Sequence, residues 1–142
     1  MENQNVCPVE RAGALDNGLR RLLQNPKKIL GPYLKKGMHI ADLGCGPGFF
    51  TVPMAEMVGG EGKVYAYDLQ EEMLGKIFLK IKNSELEERI SLLVCGATSF
   101  EFISKVDFML AFYMVHETPD PERTLKEMYD NLVSGGKAFV VE

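Results

Sequence analysis

The stretch His39-Ile40-Ala41-Asp42-Leu43-Gly44-Cys45-Gly46-Pro47-Gly48 runs from a short strand into a loop with three glycines in five residues. Those glycines let the backbone turn sharply, and their missing β-carbons let a ligand approach the main chain closely. The next segment, Phe49 to Val58, carries Phe50, Met54, Met57 and Val58 on one helical face. The loop therefore feeds a helix whose first amides lack intrahelical partners. Open parallel sheets bind ligands at the carboxyl ends of their strands, which is where this loop lies.

Outward from this unit the chain alternates between two periods. Lys63 to Tyr67 reads as a second strand, and Gln70 to Lys82 as a helix burying Met73, Leu74, Ile77 and Ile81. Ile90 to Val94 and Val106 to Phe112 read as strands three and four. Glu122 to Leu132 reads as a helix with Leu125, Met128, Tyr129 and Leu132 inward. Lys137 to Val141 follows as strand five, entered through a turn at Ser134-Gly135-Gly136. Strands alternating with helices of this length imply right-handed crossovers and an α/β, doubly wound, mostly parallel sheet.

Upstream, Asn25-Pro26 reads as a helix start, with Asn as N-cap and Pro at the first helical position. Gly31-Pro32 should end that helix. Leu15, Leu19, Leu22 and Leu23 recur at helical spacing but are interrupted by Gly13, Asn17 and Gly18. Residues 1–36 thus read as an arm of short helices, and 37–142 as the ligand-binding domain.

Asp68 closes the second strand, 20 positions after Gly48. A carboxylate there matches the two hydroxyls of a ribose, so loop and acid together describe an adenosine-containing ligand. A dinucleotide loop, Gly-x-Gly-x-x-Gly, would need glycine at position 49, which is Phe49. Asp42, two residues before the first loop glycine, would repel a pyrophosphate; near a ligand carrying an ammonium and a sulfonium the same charge helps. Spacing and charge both argue against a nicotinamide cofactor.

Ile40 to Gly48 resembles the first motif of class I S-adenosylmethionine-dependent methyltransferases, in a small-molecule, type 11-like form. Val64 to Asp68 is similar to the second motif, Val106 to Ala111 to the fourth-strand motif, and Leu132 to Lys137 to the turn into strand five. The resemblance spans roughly residues 37–142 and implies a Rossmann-like fold, S-adenosyl-L-methionine as cofactor and methyl transfer. It implies that Gly44, Cys45 and Gly46 wrap the methionine part through their backbone, with Gly48 completing the loop. It implies that Asp42 orients the ammonium, that Asp68 holds the ribose and that Leu69 lies beside the adenine, with Ala111 in the fourth-strand part of the site. Family members often carry an acid after strand three for the adenine amino group. Here Val94-Cys95-Gly96-Ala97-Thr98-Ser99 has none, leaving Gly96, Ala97 or the Thr98 hydroxyl to serve.

The family sheet usually has seven strands, whereas five are counted here, so the last two are expected to be lacking. Strand five would then be an apolar edge, a hazard for pairing with other chains. A truncated chain, a natural short form and an edge covered by another chain all remain open; the last implies a homodimer. A cofactor-binding module without activity is the alternative to an enzyme.

In-line displacement from a sulfonium needs alignment and exclusion of water, and no metal. A general base helps when the acceptor carries a proton. The end of strand four, Phe112 to Pro119, offers His116 as that base, with Glu117 or Tyr113 contacting substrate; the alternative is that His116 and Glu117 only cap the loop. The methionines read as core filler, Cys45 as small rather than reactive, and His39 as a surface residue. Phe49 and Phe50 divide between core packing and walling the cofactor. Cys7-Pro8, Arg11, Leu15, Asn17 and Arg20 in the arm would line an acceptor pocket beneath a lid.

The chain has 142 residues, 46% of them hydrophobic and 25% charged, as expected for one soluble domain. Its net charge of −4 argues for a small-molecule acceptor and against nucleic acid. Cys7, Cys45 and Cys95 form no metal or disulfide pattern, and no apolar run approaches a membrane span. These features fit a cytoplasmic protein without a signal peptide or membrane partner.

Overall fold

The computed structural model describes residues 25–142. Its elements are α1 (Pro26–Leu30), β1 (His39–Leu43), α2 (Thr51–Val58), β2 (Lys63–Asp68), α3 (Glu71–Ile81) and α4 (Leu86–Arg89), followed by β3 (Ile90–Val94), β4 (Val106–Phe112), α5 (Pro121–Asp130) and β5 (Leu132–Val141). A 3-10 turn, Val115–Glu117, lies between β4 and α5. The residues of the arm expected to form a lid, Cys7 to Arg20, lie outside the described residues.

The five strands form one sheet in the order β3-β2-β1-β4-β5, every neighbouring pair parallel. The order reverses direction at β1, so β1 and β4 part at their carboxyl ends and leave a crevice there. Alternating side chains of the central strands bury both faces. Ile40, Val64, Ala66, Phe108 and Leu110 meet Leu30 of α1, Met54 and Val58 of α2, and Leu74, Ile77 and Ile81 of α3. Ala41, Leu43, Tyr67, Met109 and Ala111 face the other way, onto Phe100, Met114, Val115 and Met128.

Local signals hold where they depend on neighbouring residues. Asn25 caps α1 by accepting from the Lys28 amide at 3.3 Å, with Pro26 in the first turn. Asp120 caps α5 in the same way, accepting from the Arg123 amide at 3.1 Å, with Pro121 after it.

Two expectations fail. Leu125 and Tyr129 do not face inward: they are 45% and 78% exposed, and α5 buries Thr124 and Met128 instead. The rotation of α5 is fixed by Glu127, whose Oε1 accepts from Ser99 Oγ and the Phe100 amide, both at 2.9 Å. The turn at Ser134-Gly135-Gly136 is a bulge inside a longer strand: β5 already pairs Leu132 with Val106, then jumps to Lys137 opposite Phe108. A β-carbon on Gly136 would come within 2.9 Å of the Val133 carbonyl oxygen, so the bulge requires glycine there.

Candidate functional site

At the crevice the glycine loop folds back on β2. Gly44 and Cys45 both donate their amides to the Tyr67 carbonyl at 2.9 Å, Gly46 donates to Asp68 Oδ2 at 2.9 Å, and Gly48 donates to the Cys45 carbonyl at 3.3 Å. Gly44, Gly46 and Gly48 all have positive φ (69°, 54° and 93°), the left-handed region that side chains resist. With those amides consumed, the loop is no anion nest of the kind that cradles phosphate. It offers carbonyl oxygens and carboxylates, which suit a cation. The Cys45 carbonyl is itself engaged, by the Gly48 amide.

Two acids border the loop. Asp42, 3% exposed, accepts from Thr51 Oγ1 at 2.6 Å through Oδ2, while Oδ1 takes no hydrogen bond from any described residue. Burial pushes its carboxyl up to about 7, against the pull of the Thr51 bond, and nearby Asp68 adds to the rise. Asp68 is anchored on both oxygens, by the Gly46 amide on Oδ2 and the Gln70 amide on Oδ1, each at 2.9 Å. Burial raises it as well, while those amide bonds hold it down. Each oxygen keeps a second lone pair for a hydroxyl donor.

These groups line a cavity of about 290 Å³. Of the expected cofactor residues, Asp42, Gly44, Cys45, Gly46, Asp68, Leu69, Gly96 and Ala97 share its wall. Phe49, Phe50, Phe112, Tyr113 and Met114 form an apolar side, and Glu117 and Thr118 lie along its border. A buried carboxylate oxygen without a donor, carbonyls at a glycine loop, and an anchored carboxylate beside them fit a cationic amino acid joined to a nucleoside.

Other expected residues stand elsewhere. Gly48 does not line the cavity; a β-carbon there would lie 2.9 Å from Ile77 Cγ1, so its part is to let the loop close on α3. Ala111 is fully buried in the second core and is not part of the wall. His116 also lies outside: its side chain is 56% exposed, and Nδ1 pairs with Glu142 Oε2, which holds the imidazole above its usual pKa. The two acidic and basic candidates are thereby separated, since Glu117 reaches the cavity and His116 does not.

The sequence reading missed Thr51, because a hydroxyl at a helix start gives no sign of a bond to a strand nine residues back. It also missed the strain at Tyr113, a non-glycine residue with φ 53° at the end of β4, whose amide donates to the Val141 carbonyl. Cys45 and Cys95 are poor nucleophiles: burial raises both thiols, Cys95 to about 12. Among the described residues, no group of three His, Cys, Asp or Glu could hold a metal, and no helix is long and apolar enough to cross a membrane.

Residues 40–136, more than half of the chain, match the family profile described as a methyltransferase domain. A demethylmenaquinone methyltransferase of Lactococcus lactis subsp. lactis (strain IL1403) is 35% identical over 107 residues, covering 75% of this chain and 42% of that protein. Another, from Lactobacillus johnsonii (strain CNCM I-12250 / La1 / NCC 533), is 29% identical over 127 residues, covering 89% and 50%. The chain thus spans half the length, or less, of these curated relatives. The crystal structure of a SAM dependent methyltransferase from Aquifex aeolicus superposes with a TM-score of 0.80 at 31% identity, covering 89% of this chain and 68% of that one.

Proposed function

This chain belongs to the class I S-adenosylmethionine-dependent methyltransferase family, and on that premise we propose that it moves a methyl group from S-adenosylmethionine to an apolar, ring-bearing small molecule. The observation that carries the reading is the buried Asp42 carboxylate, one oxygen without a described donor, on the wall of the cavity that also holds Asp68. Asp42 and the loop carbonyls face the ammonium of the cofactor, and Asp68 takes the ribose hydroxyls. Leu69, Gly96 and Ala97 flank the purine beyond it.

Bound there, the cofactor supplies an electrophilic methyl group on a sulfonium that departs as a neutral thioether. The chain's own task is then to align an acceptor and exclude water. Phe49, Phe50, Phe112 and Tyr113 favour a flat apolar acceptor. Demethylmenaquinone, the compound for which the two curated relatives are named, is an acceptor of that class. Glu117 is the base that takes the proton the acceptor loses as the methyl joins it. Its support is its place on the cavity wall and the burial that raises its carboxyl, which strengthens it as a proton acceptor.

Calorimetry tests the cofactor: S-adenosylhomocysteine should bind and NAD should not, and the reverse would remove the reading. With the reduced, hydroquinone form of demethylmenaquinone as acceptor, Glu117→Gln should lower kcat about a hundredfold and leave the cofactor Kd unchanged. Undiminished turnover would withdraw Glu117 as base. The rival is a cofactor-binding module without activity; binding without transfer across a range of acceptors would select it. As partner, a second copy of this chain fits the outer edge of β5, which has no strand beside it among the described residues.

A further inference from the structure

Thr51 is the first residue of α2, and it is completely buried. Its hydroxyl spans from that helix to the end of β1 and donates at 2.6 Å to Asp42 Oδ2. Short bonds of this kind favour the ionised acceptor. Asp42 has this one donor among the described residues, whereas Asp68 is held by main-chain amides that no substitution of their residues except proline would remove. The Thr51 hydroxyl is therefore the one replaceable donor that opposes the effect of burial on Asp42.

We propose that Thr51 is a positioning residue for the cofactor: its hydroxyl favours the ionised form of Asp42, fixes Oδ2, and leaves Oδ1 for the ligand's ammonium. The inference rests on the cofactor reading above. The titratable groups facing Asp42 are Asp68 from β2 and the Cys45 thiol from the loop, and Asp68 in turn raises Glu117 and Cys95. None of them is a cation, so the ammonium is the counter-charge that the buried acid lacks.

Asp42, pushed by burial to about 7, is partly protonated at neutral pH in the ligand-free protein. Below that pH a proton must leave before the ammonium is well held; above it the carboxylate is ready. Affinity for S-adenosylmethionine thus rises with pH through neutrality, until loss of the ligand's own ammonium proton reverses the trend.

The test is calorimetric titration of the full chain with S-adenosylmethionine at several pH values. In Thr51→Val the inflection should move up by about one pH unit, leaving affinity about fivefold weaker near pH 7, about tenfold weaker well below it, and converging on wild type at higher pH. Thr51→Ser should keep the wild-type profile. A Thr51→Val curve that overlies the wild type, or runs parallel below it at every pH, overturns the proposal. Carbon-detected NMR of Asp42 in the ligand-free protein reads the same effect without binding. Its titration midpoint should rise in Thr51→Val, or in Thr51→Ala should the valine variant not fold, and an unmoved midpoint overturns the proposal too. Wild-type protein that binds no S-adenosylmethionine sinks the methyltransferase reading itself; binding with a flat pH profile sinks this inference alone.

Discussion

Asp42 is asked to be charged for its ligand and is buried as though it were neutral. The folded protein keeps its proton up to about 7, whereas an unperturbed carboxyl releases it near 3.8. The unfolded chain therefore binds fewer protons within that window, and stability falls as pH rises through it and levels off above it. Asp42→Asn, which can still accept from Thr51, should be more stable than wild type at about pH 8 by on the order of 2–4 kcal/mol, and nearly equal to it at about pH 4. The same variant should bind S-adenosylmethionine more weakly. Thermal unfolding at the two pH values checks this, and no gain in Tm at the higher pH would contradict it. Gly48 makes the opposite case, a loop residue whose work is structural. Gly48→Ala forces a β-carbon into the left-handed region and against Ile77, and should cost about 1–3 kcal/mol in denaturant unfolding.

At the scale of elements, α5 shows how tertiary contacts override an apolar count. Its sequence offers Leu125, Met128 and Tyr129, yet the helix turns Thr124 and Met128 to the sheet, because Glu127 ties it to the loop after β3. Met128→Ala should therefore cost about 2–5 kcal/mol, and Tyr129→Ser less than about 0.5 kcal/mol, by urea unfolding. Equal losses at the two positions would show that the helix sits in another rotation. The glycine loop is the contrasting element. Its course follows from residue types alone, since the three positive-φ positions are the three glycines of the motif.

At the scale of the whole molecule, the parallel sheet keeps its central strands dry by covering both faces, and among the described residues no strand lies beyond β5. Val140, on that strand, is 39% exposed. Pairing of two copies along this edge would satisfy its outward backbone groups. Light scattering of the full chain should give the mass of a dimer, and Val140→Lys should shift it towards the monomer; a wild-type mass of one chain removes the homodimer.

The order of strands and helices, the doubly wound class and the acid-bordered glycine loop were legible in the sequence, because each follows from periodicity or from conformations that one residue type tolerates. The helix cap at Asn25 was local in the same sense. The rotation of α5, the bulge at Gly135 and Gly136, the exclusion of His116 from the cavity and the bond from Thr51 to Asp42 were not. Each depends on groups distant in the chain meeting across packed elements, and a contact that forms only when two surfaces dock leaves no period or spacing to read.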